Sequence, residues 1–363
     1  MQAATRIKAN LLLIRAGRPG RRLKKIMKAY EIQQFGIDNL SPVERETPTP
    51  QGTEVLVRIR ATSLNYRDLM MVKGSYNPKQ KLPLIPFSDG AGEVVEAGES
   101  VTKWQKGDRV SPIFMQGWIE GEIEYKKART TLGGDLDGCL REYAVFDEQA
   151  LVRIPDHLSF EEAATLPCAG LTAYHALFIS GCLKPDDTIL IQGTGGVSIF
   201  ALQLASVYGC RTFVISSSDE KLQRAEALGA DELINYQSTP DWDKAILDLT
   251  EKRGVDHVVE VGGGGTIQKS LNAVRMGGHI AVIGALSGGR GEISPISILM
   301  KTVKLHGIFV GSRQMFEQMN QLLCLHNNIK PVVDKVFEFE NVKDALEYME
   351  SGSHFGKIVV RVG

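Results

Sequence analysis

Four residues, Gly193-Thr194-Gly195-Gly196, stand between an apolar run at Thr188–Gln192 and a helix-patterned stretch over 197–208. Glycines at such a junction permit a tight turn. They also let the backbone approach a pyrophosphate, whose charge then sits at the N-terminus of the following helix. The last position of the G-x-G-x-x-G fingerprint, three after Gly195, is Ser198. Serine is small enough for close helix–strand packing, but it leaves the motif weak by itself. The strand before, the helix after and a second strand at the right distance distinguish it from an ordinary glycine-rich turn. The candidate phosphate contacts are therefore Gly193, Thr194, Gly195, Gly196 and Val197.

The end of the second strand decides which dinucleotide fits. An acid there would hold a ribose 2′-hydroxyl. The chain instead reads Val214-Ile215-Ser216-Ser217-Ser218, and Asp219 follows in a position suited to capping or opening the next helix. Lys221 lies one turn into that helix, within reach of a 2′-phosphate, with Ser217 as a hydrogen-bond donor. A missing acid and an added base together favour NADP(H) over NAD(H), although a lone lysine there would pass for a solvated surface residue.

The elements that must position these residues follow from the rest of the chain. Its 363 residues suit roughly two domains of about 150 residues each. A composition of 43% hydrophobic and 23% charged residues excludes a collagen-like repeat or a long disordered chain. No apolar run approaches the roughly 18 residues of a membrane span. The net charge of −1 is an average over unlike parts: residues 1–26 carry eight basic groups and no acid, which leaves −9 for residues 27–363. A body of that charge is a poor nucleic-acid binder. The basic segment 1–26, with no serine and a short apolar run, is read as a disordered extension rather than a targeting signal. Five scattered cysteines without a C-x-x-C pair signal neither a zinc ribbon nor a disulfide framework and point to the cytoplasm.

From residue 30 to about 150 the pattern is of short strands and Gly/Pro turns, with 54–61 alternating apolar and polar residues. The stretch 118–137 reads as a long loop. After Pro155 apolar strands alternate with helices. The helix at 159–164 opens with the Ser159/Glu162 capping-box spacing. That βαβα rhythm implies an α/β doubly wound parallel sheet. A last helix over 342–351 and a strand over 357–362 could close back onto the first domain. The expected division is 27–150 with 315–363 as one domain and 151–314 as the dinucleotide-binding domain.

At this point residues 27–363, 337 of the 363, resemble the medium-chain dehydrogenase/reductase superfamily, in its zinc-independent, quinone-oxidoreductase-like branch. The likeness rests on SLNYRDLMMVKGSY, PLIPFSDGAGEVVEAGESVTKWQKGDRV, LPCAGLTAYHAL, QGTGGVS and HFGKIVV, in that order. It implies a GroES-like β-barrel catalytic domain, split in sequence around a Rossmann domain, and a homodimer formed through the Rossmann edge strand. Zinc-dependent relatives hold a metal with Cys, His and Cys; the matching positions here are Asn65, Ser88 and Cys168, a poor ligand set, with Asp68 and Asp89 nearby as a makeshift carboxylate alternative. Residues 114–138, matching the structural-zinc lobe, carry no cysteine. The resemblance implies Ser217, Lys221 and Tyr236 for the NADPH 2′-phosphate, and Asn65 and Thr172 near the nicotinamide. A tyrosine frequent in relatives five positions after the Asn is Met70 here.

Without zinc, the oxyanion that develops as hydride arrives must be met by hydrogen-bond donors, each worth about 3 kcal/mol in a dry site. Quinones, enones and 2-alkenals need that help least. The expected activity is therefore NADPH-dependent hydride transfer to a conjugated carbonyl or quinone. The proton comes from Tyr66, from Tyr76, or from water relayed by Asn65 and Ser88. Two rivals stand beside it: a metal-free NAD(P)-dependent alcohol dehydrogenase, and a protein that binds NADPH with little turnover, which the loss of a tyrosine at position 70 would suit. Cys168 reads as a buried, inert thiol. Lys357 reads equally well as a cofactor contact or as the start of a strand.

Overall fold

The structure, a computed structural model, describes residues 25–363. The expectation for the segment 1–26 thus lies outside the described residues except for its last two. The Lys25 carbonyl accepts from Thr47 N–H at 2.8 Å, and Ile26 opens the strand Ile26–Ile32, which pairs antiparallel with Leu40–Glu46. Ordered pairing therefore begins ahead of Met27.

Six strands form one parallel sheet: Thr188–Gln192, Arg211–Ser216, Glu232–Asn235, Val255–Glu260, Val274–Val282 and Lys304–Gly307. In space they run third, second, first, fourth, fifth, sixth, so the order reverses between Thr188–Gln192 and Val255–Glu260. Ile189, Leu190, Ile191, Val258 and Val259 on those two central strands are fully buried, as strands covered on both faces require. Ligands of such sheets bind beyond the carboxyl ends of the strands at the reversal. Gly193–Gly196 lies there, directly after Gln192.

The edge strand Lys304–Gly307 and the helix Pro295–Lys301 before it are absent from the sequence reading. The strand is only four residues long, with Lys304, His306 and Gly307 exposed. The helix exposes Ile296, Leu299 and Met300, so neither shows the burial that a hydrophobic pattern reports. Within the predicted loop 118–137 the structure also contains a short helix, Tyr125–Ala128.

A second sheet runs in the order Val333–Glu338, Lys357–Arg361, Glu54–Ser63, Ala91–Ala97, Arg109–Pro112 and Leu151–Arg153, with Tyr143–Asp147 also on Glu54–Ser63. All its pairs are antiparallel except Val333–Glu338 with Lys357–Arg361. Leu151–Arg153 lies past the residue-150 division yet pairs here, because its ladder with Arg109–Pro112 continues the sheet. The division at 315 falls inside the helix Arg313–Leu325. That helix buries Phe316, Met319 and Leu323 in a core shared with Phe200 and Ile199 on one side and Phe114 and Ile113 on the other. The two sheets therefore meet through a continuous apolar core rather than a thin linker.

At the amino ends of the central strands Asp256 is 2% exposed and accepts from Thr188 N–H, Thr188 Oγ1, both arms of Arg253 and Arg275. Burial alone would raise its carboxyl, but the bonds from Arg253, Arg275 and Thr188 outweigh it and hold the group well below the ordinary range. A depressed folded-state value means stabilisation that is complete above the unfolded value near 4 and is lost as the pH falls through both. Asp256→Asn should lower stability by about 3 kcal/mol at neutral pH. The gap from wild type, read by urea unfolding, should shrink steadily below about pH 4.

Candidate active site

The helix Gly196–Val207 follows the first strand of the parallel sheet through Gly193, whose φ of +72° is a left-handed conformation that favours glycine. Ser198 Oγ donates to the Gln192 carbonyl at 2.7 Å, so the serine at the fingerprint's last position bonds the strand it packs against. Gly195 caps the helix in extended backbone with no side-chain bond. A Cβ there would meet nothing within 4 Å, so the helix start faces open space suited to a phosphate. Gly196 differs: its Cβ would lie 2.5 Å from Lys357 Cδ and 3.1 Å from Ala169 Cβ. One glycine therefore leaves room for a ligand, the other for a lysine stem.

Lys357 arrives at this loop through its neighbour. Gly356 N–H donates to the Thr194 carbonyl at 2.9 Å, and Gly356 bridges Gly195. The Lys357 ammonium then enters the barrel and donates to the Leu64 carbonyl and to Asn65 Oδ1, both at 2.6 Å, with Asp89 Oδ2 at 3.6 Å. Asn65 Nδ2 donates to Ser88 Oγ at 3.3 Å, so two of the sequence-predicted catalytic residues, 23 positions apart, meet. Asp68 accepts from Asn65 N–H at 2.9 Å and Ser88 N–H at 3.2 Å, fixing both backbones. Ser63 Oγ donates to Asp89 at 3.0 Å.

The electrostatics follow from burial. Burial pushes the Asp68 carboxyl up to about 6, against the pull of Arg67 at 3.7 Å and with a push from Asp89. Burial likewise raises Asp89, which Lys357 and hydrogen bonds draw back down. Cys168 feels the charges of Asp89 and Lys357, but burial dominates and raises its thiol far above the ordinary range. The residue is half-buried rather than wholly buried as expected, and a thiol raised in this way is a poor nucleophile.

The other predicted residues are distributed around this centre. Thr172 is buried in the helix Leu171–Tyr174, and Thr194 is buried in the loop, whereas Val197 is half-buried. Tyr66 and Tyr76 stay 47% and 45% exposed. Tyr76 lies with its ring 5.3 Å from the Arg67 guanidinium. Ser217 is exposed, Tyr236 N–H donates to the Ser216 carbonyl at 3.0 Å, and Lys221 Nζ donates to the Gly352 carbonyl at 2.6 Å. Asp219 opens its helix as expected, with Ser218 as the cap, and accepts from Asn235 Nδ2 at 2.7 Å. Sequence reasoning did not give Asp68 this backbone-fixing role and missed Arg67 altogether. The Asn-x-x-Asp spacing of Asn65 and Asp68 was the available signal for the former.

A Rossmann sheet with an open glycine loop, joined to a polar cluster in an antiparallel barrel, is the architecture of a dinucleotide-dependent enzyme. The zinc-binding dehydrogenase family matches residues 196–324, and the alcohol dehydrogenase GroES-like domain family matches residues 51–156. A zinc-type alcohol dehydrogenase-like protein of Schizosaccharomyces pombe is 44% identical over 90% of this chain and 96% of its own length. The human quinone oxidoreductase is 28% identical over 91% of this chain and 96% of its own. The crystal structure of an NAD-dependent alcohol dehydrogenase covers 93% of this chain and 100% of its own, at 32% identity and a TM-score of 0.84. The chain belongs to the medium-chain dehydrogenase/reductase superfamily, a family of pyridine-nucleotide-dependent oxidoreductases. Among the described residues no group of three or more His, Cys, Asp or Glu is arranged to hold a metal ion, and no helix is long and apolar enough to cross a membrane.

The two glycines separate fold from ligand. Gly195→Val puts its side chain into open space from an extended backbone and should leave the melting temperature within about 2 °C of wild type. It should weaken dinucleotide binding, read by quenching of tryptophan fluorescence, at least about tenfold.

Proposed function

We propose that the chain is a zinc-independent, NADP(H)-dependent oxidoreductase that moves hydride between the nicotinamide and a conjugated carbonyl or quinone, acting as a cytoplasmic homodimer. The observation that carries the reading is the 3.3 Å bond between the Asn65 amide and the Ser88 hydroxyl. These two residues match metal-ligand positions of zinc-dependent relatives, and here they offer neutral hydrogen-bond donors in place of thiolate and imidazole.

In this reading Gly193, Thr194, Gly195, Gly196 and Val197 receive the pyrophosphate. Ser217, Lys221 and Tyr236 receive the 2′-phosphate, and Asn65 with Thr172 borders the nicotinamide. The Lys221 ammonium spends one hydrogen on Gly352 and retains two for a phosphate. Asp219, the nearest acid after the second strand, is engaged by Asn235, which supports NADP(H) over NAD(H). A bound reduced nicotinamide supplies hydride from one ring carbon. Asn65 Nδ2 and Ser88 Oγ meet the acceptor oxygen as it gains charge. The exposure of Tyr66 and Tyr76 favours water, passed along Asn65 and Ser88, as the proton source over either phenol. The unpaired edge of Lys304–Gly307, beside the exposed Ile296, Leu299 and Met300, supports the dimer.

Lys221→Ala should weaken NADPH binding in a calorimetric titration by at least about tenfold while changing NADH binding less than about twofold. Equal wild-type affinities for the two, unchanged in the variant, overturn the phosphate assignment. A panel of quinones, enals, ketones and alcohols should show turnover of conjugated acceptors with NADPH and no loss on chelation. Stoichiometric zinc with chelator-sensitive activity, or turnover of alcohols alone, overturns the reading. The native mass by light scattering should be that of two chains, and Leu299→Glu/Met300→Glu should reduce it to one.

A further inference from the structure

Lys357 is bound to both halves of the site by different parts of one side chain. Its stem crosses the phosphate loop where only Gly196 leaves space, and its ammonium ends on the Asn65 amide. At 3% exposure this cation is sealed from solvent, among the Leu64 carbonyl, Asn65 Oδ1 and Asp89 Oδ2. An ammonium carries donors and no acceptor. The face of the Asn65 amide that meets it must therefore be the oxygen. The NH2 is left pointing the other way, toward Ser88 Oγ.

The two ends of an asparagine amide are nearly equal in shape and opposite in electrical sense. With the NH2 forward, the group donates to an acceptor oxygen that gains charge during hydride transfer. With the oxygen forward, it would oppose that charge. Ser88 by itself leaves either orientation open, because a hydroxyl both donates and accepts. The Asp89 carboxylate, which also engages the Asn65 side chain, calls for the NH2 on its side, and the ammonium of Lys357 is the donor that claims the oxygen.

We propose that Lys357 is a positioning residue: by occupying the Asn65 carbonyl oxygen, it locks the amide with its NH2 toward Ser88 and the acceptor. This rests on the reading of Asn65 as the group that polarises the acceptor. Lys357 needs no contact with substrate for the role. The side chain that sets the amide is also packed against the glycine loop, so the donor is built on the same support as the cofactor-binding backbone.

The test is a double-mutant cycle of Lys357→Met and Asn65→Ala, run with whichever acceptor or alcohol the wild type turns over. Lys357→Met should lower kcat about 30-fold, with KM and dinucleotide affinity within about threefold. In the Asn65→Ala background the same change should alter kcat less than about twofold. Lys357→Arg, still a donor-only cation, should recover part of the loss. Because Lys357→Met strands Asp89 without its cation, the cycle is repeated on Asp89→Asn, with melting curves and dinucleotide binding establishing that each protein is folded. Equal losses in the two Asn65 backgrounds, or a loss confined to dinucleotide affinity, overturn the proposal. A second readout needs no turnover. In protein labelled with 15N-asparagine, the Asn65 side-chain NH2, assigned by its disappearance in Asn65→Ala, should be slow to exchange in wild type and Lys357→Arg and fast in Lys357→Met. Unchanged exchange overturns the amide lock. A wild type that turns over no acceptor overturns the functional reading alone, and the exchange measurement still decides the role of Lys357.

Discussion

The hydrogen bond from Gly356 N–H to the Thr194 carbonyl at 2.9 Å, with the Gly195–Gly356 bridge beside it, joins the two halves of the site. It makes the phosphate loop a local pairing partner of the chain returning to the barrel. Gly356 has φ +79°, and a Cβ there would meet the Val332 carbonyl at 2.6 Å, so the approach depends on glycine. One residue later the chain enters the barrel sheet, where Lys357–Arg361 lies between Val333–Glu338 and Glu54–Ser63. Glu54–Ser63 leads within two residues to Asn65. The glycine loop and the Asn65 amide are thus linked through a few residues, and neither domain can shift there without disturbing the other.

The same junction concentrates charge that folding alone would not favour. Lys357, Asp89 and Asp68 are almost wholly buried, and taking such groups out of water typically costs more than their mutual attraction returns. The raised carboxyls of Asp68 and Asp89 express that cost directly. What the cluster supplies is geometry. Asp68 binds the backbone N–H groups of Asn65 and Ser88, while Lys357 binds the Asn65 side chain and the Leu64 carbonyl. Arg67, paired with Asp68, extends the set by donating to the Leu132 carbonyl at 2.9 Å and Thr131 Oγ1 at 3.1 Å. Two backbone segments separated by some twenty residues are fixed relative to each other by side chains whose net stabilising value is small.

Legibility in the sequence followed the strength of local signals. The strands Thr188–Gln192 and Arg211–Ser216 were readable to the residue because their apolar runs end in glycine or serine turns. Lys304–Gly307 was not, since an exposed four-residue edge carries no such run. Leu151–Arg153 and Arg313–Leu325 lie at the boundaries read from the sequence, where burial across a domain junction looks, along the sequence, like burial within a domain. Within the site, the glycine loop was visible as a motif, but the different needs of Gly195 and Gly196 were not: one is set by open space and the other by a lysine stem from residue 357. The meeting of Asn65 with Ser88 came only through the family likeness. The grip of Lys357 on Asn65 spans 292 residues and lay beyond any spacing argument.

An ammonium in this position constrains the chemistry more than a metal ion would. A metal with an open coordination position can take the acceptor oxygen directly and polarise it as a Lewis acid. Lys357 donates to the Leu64 carbonyl and Asn65 Oδ1 and forms an ion pair with Asp89 Oδ2 at 3.6 Å, sealed from solvent at 3% exposure. Its charge acts at one remove, by orienting and polarising a neutral amide. Hydrogen-bond donation of that kind offers an oxyanion about 3 kcal/mol per donor, less than a cation in contact. An acceptor whose own conjugation spreads the incoming charge asks less of the site. In the function proposed above, quinones and conjugated carbonyls suit the arrangement around Asn65 for the same reason that it needs Lys357: the donors it offers are neutral, and the direction of the amide N–H has to be right.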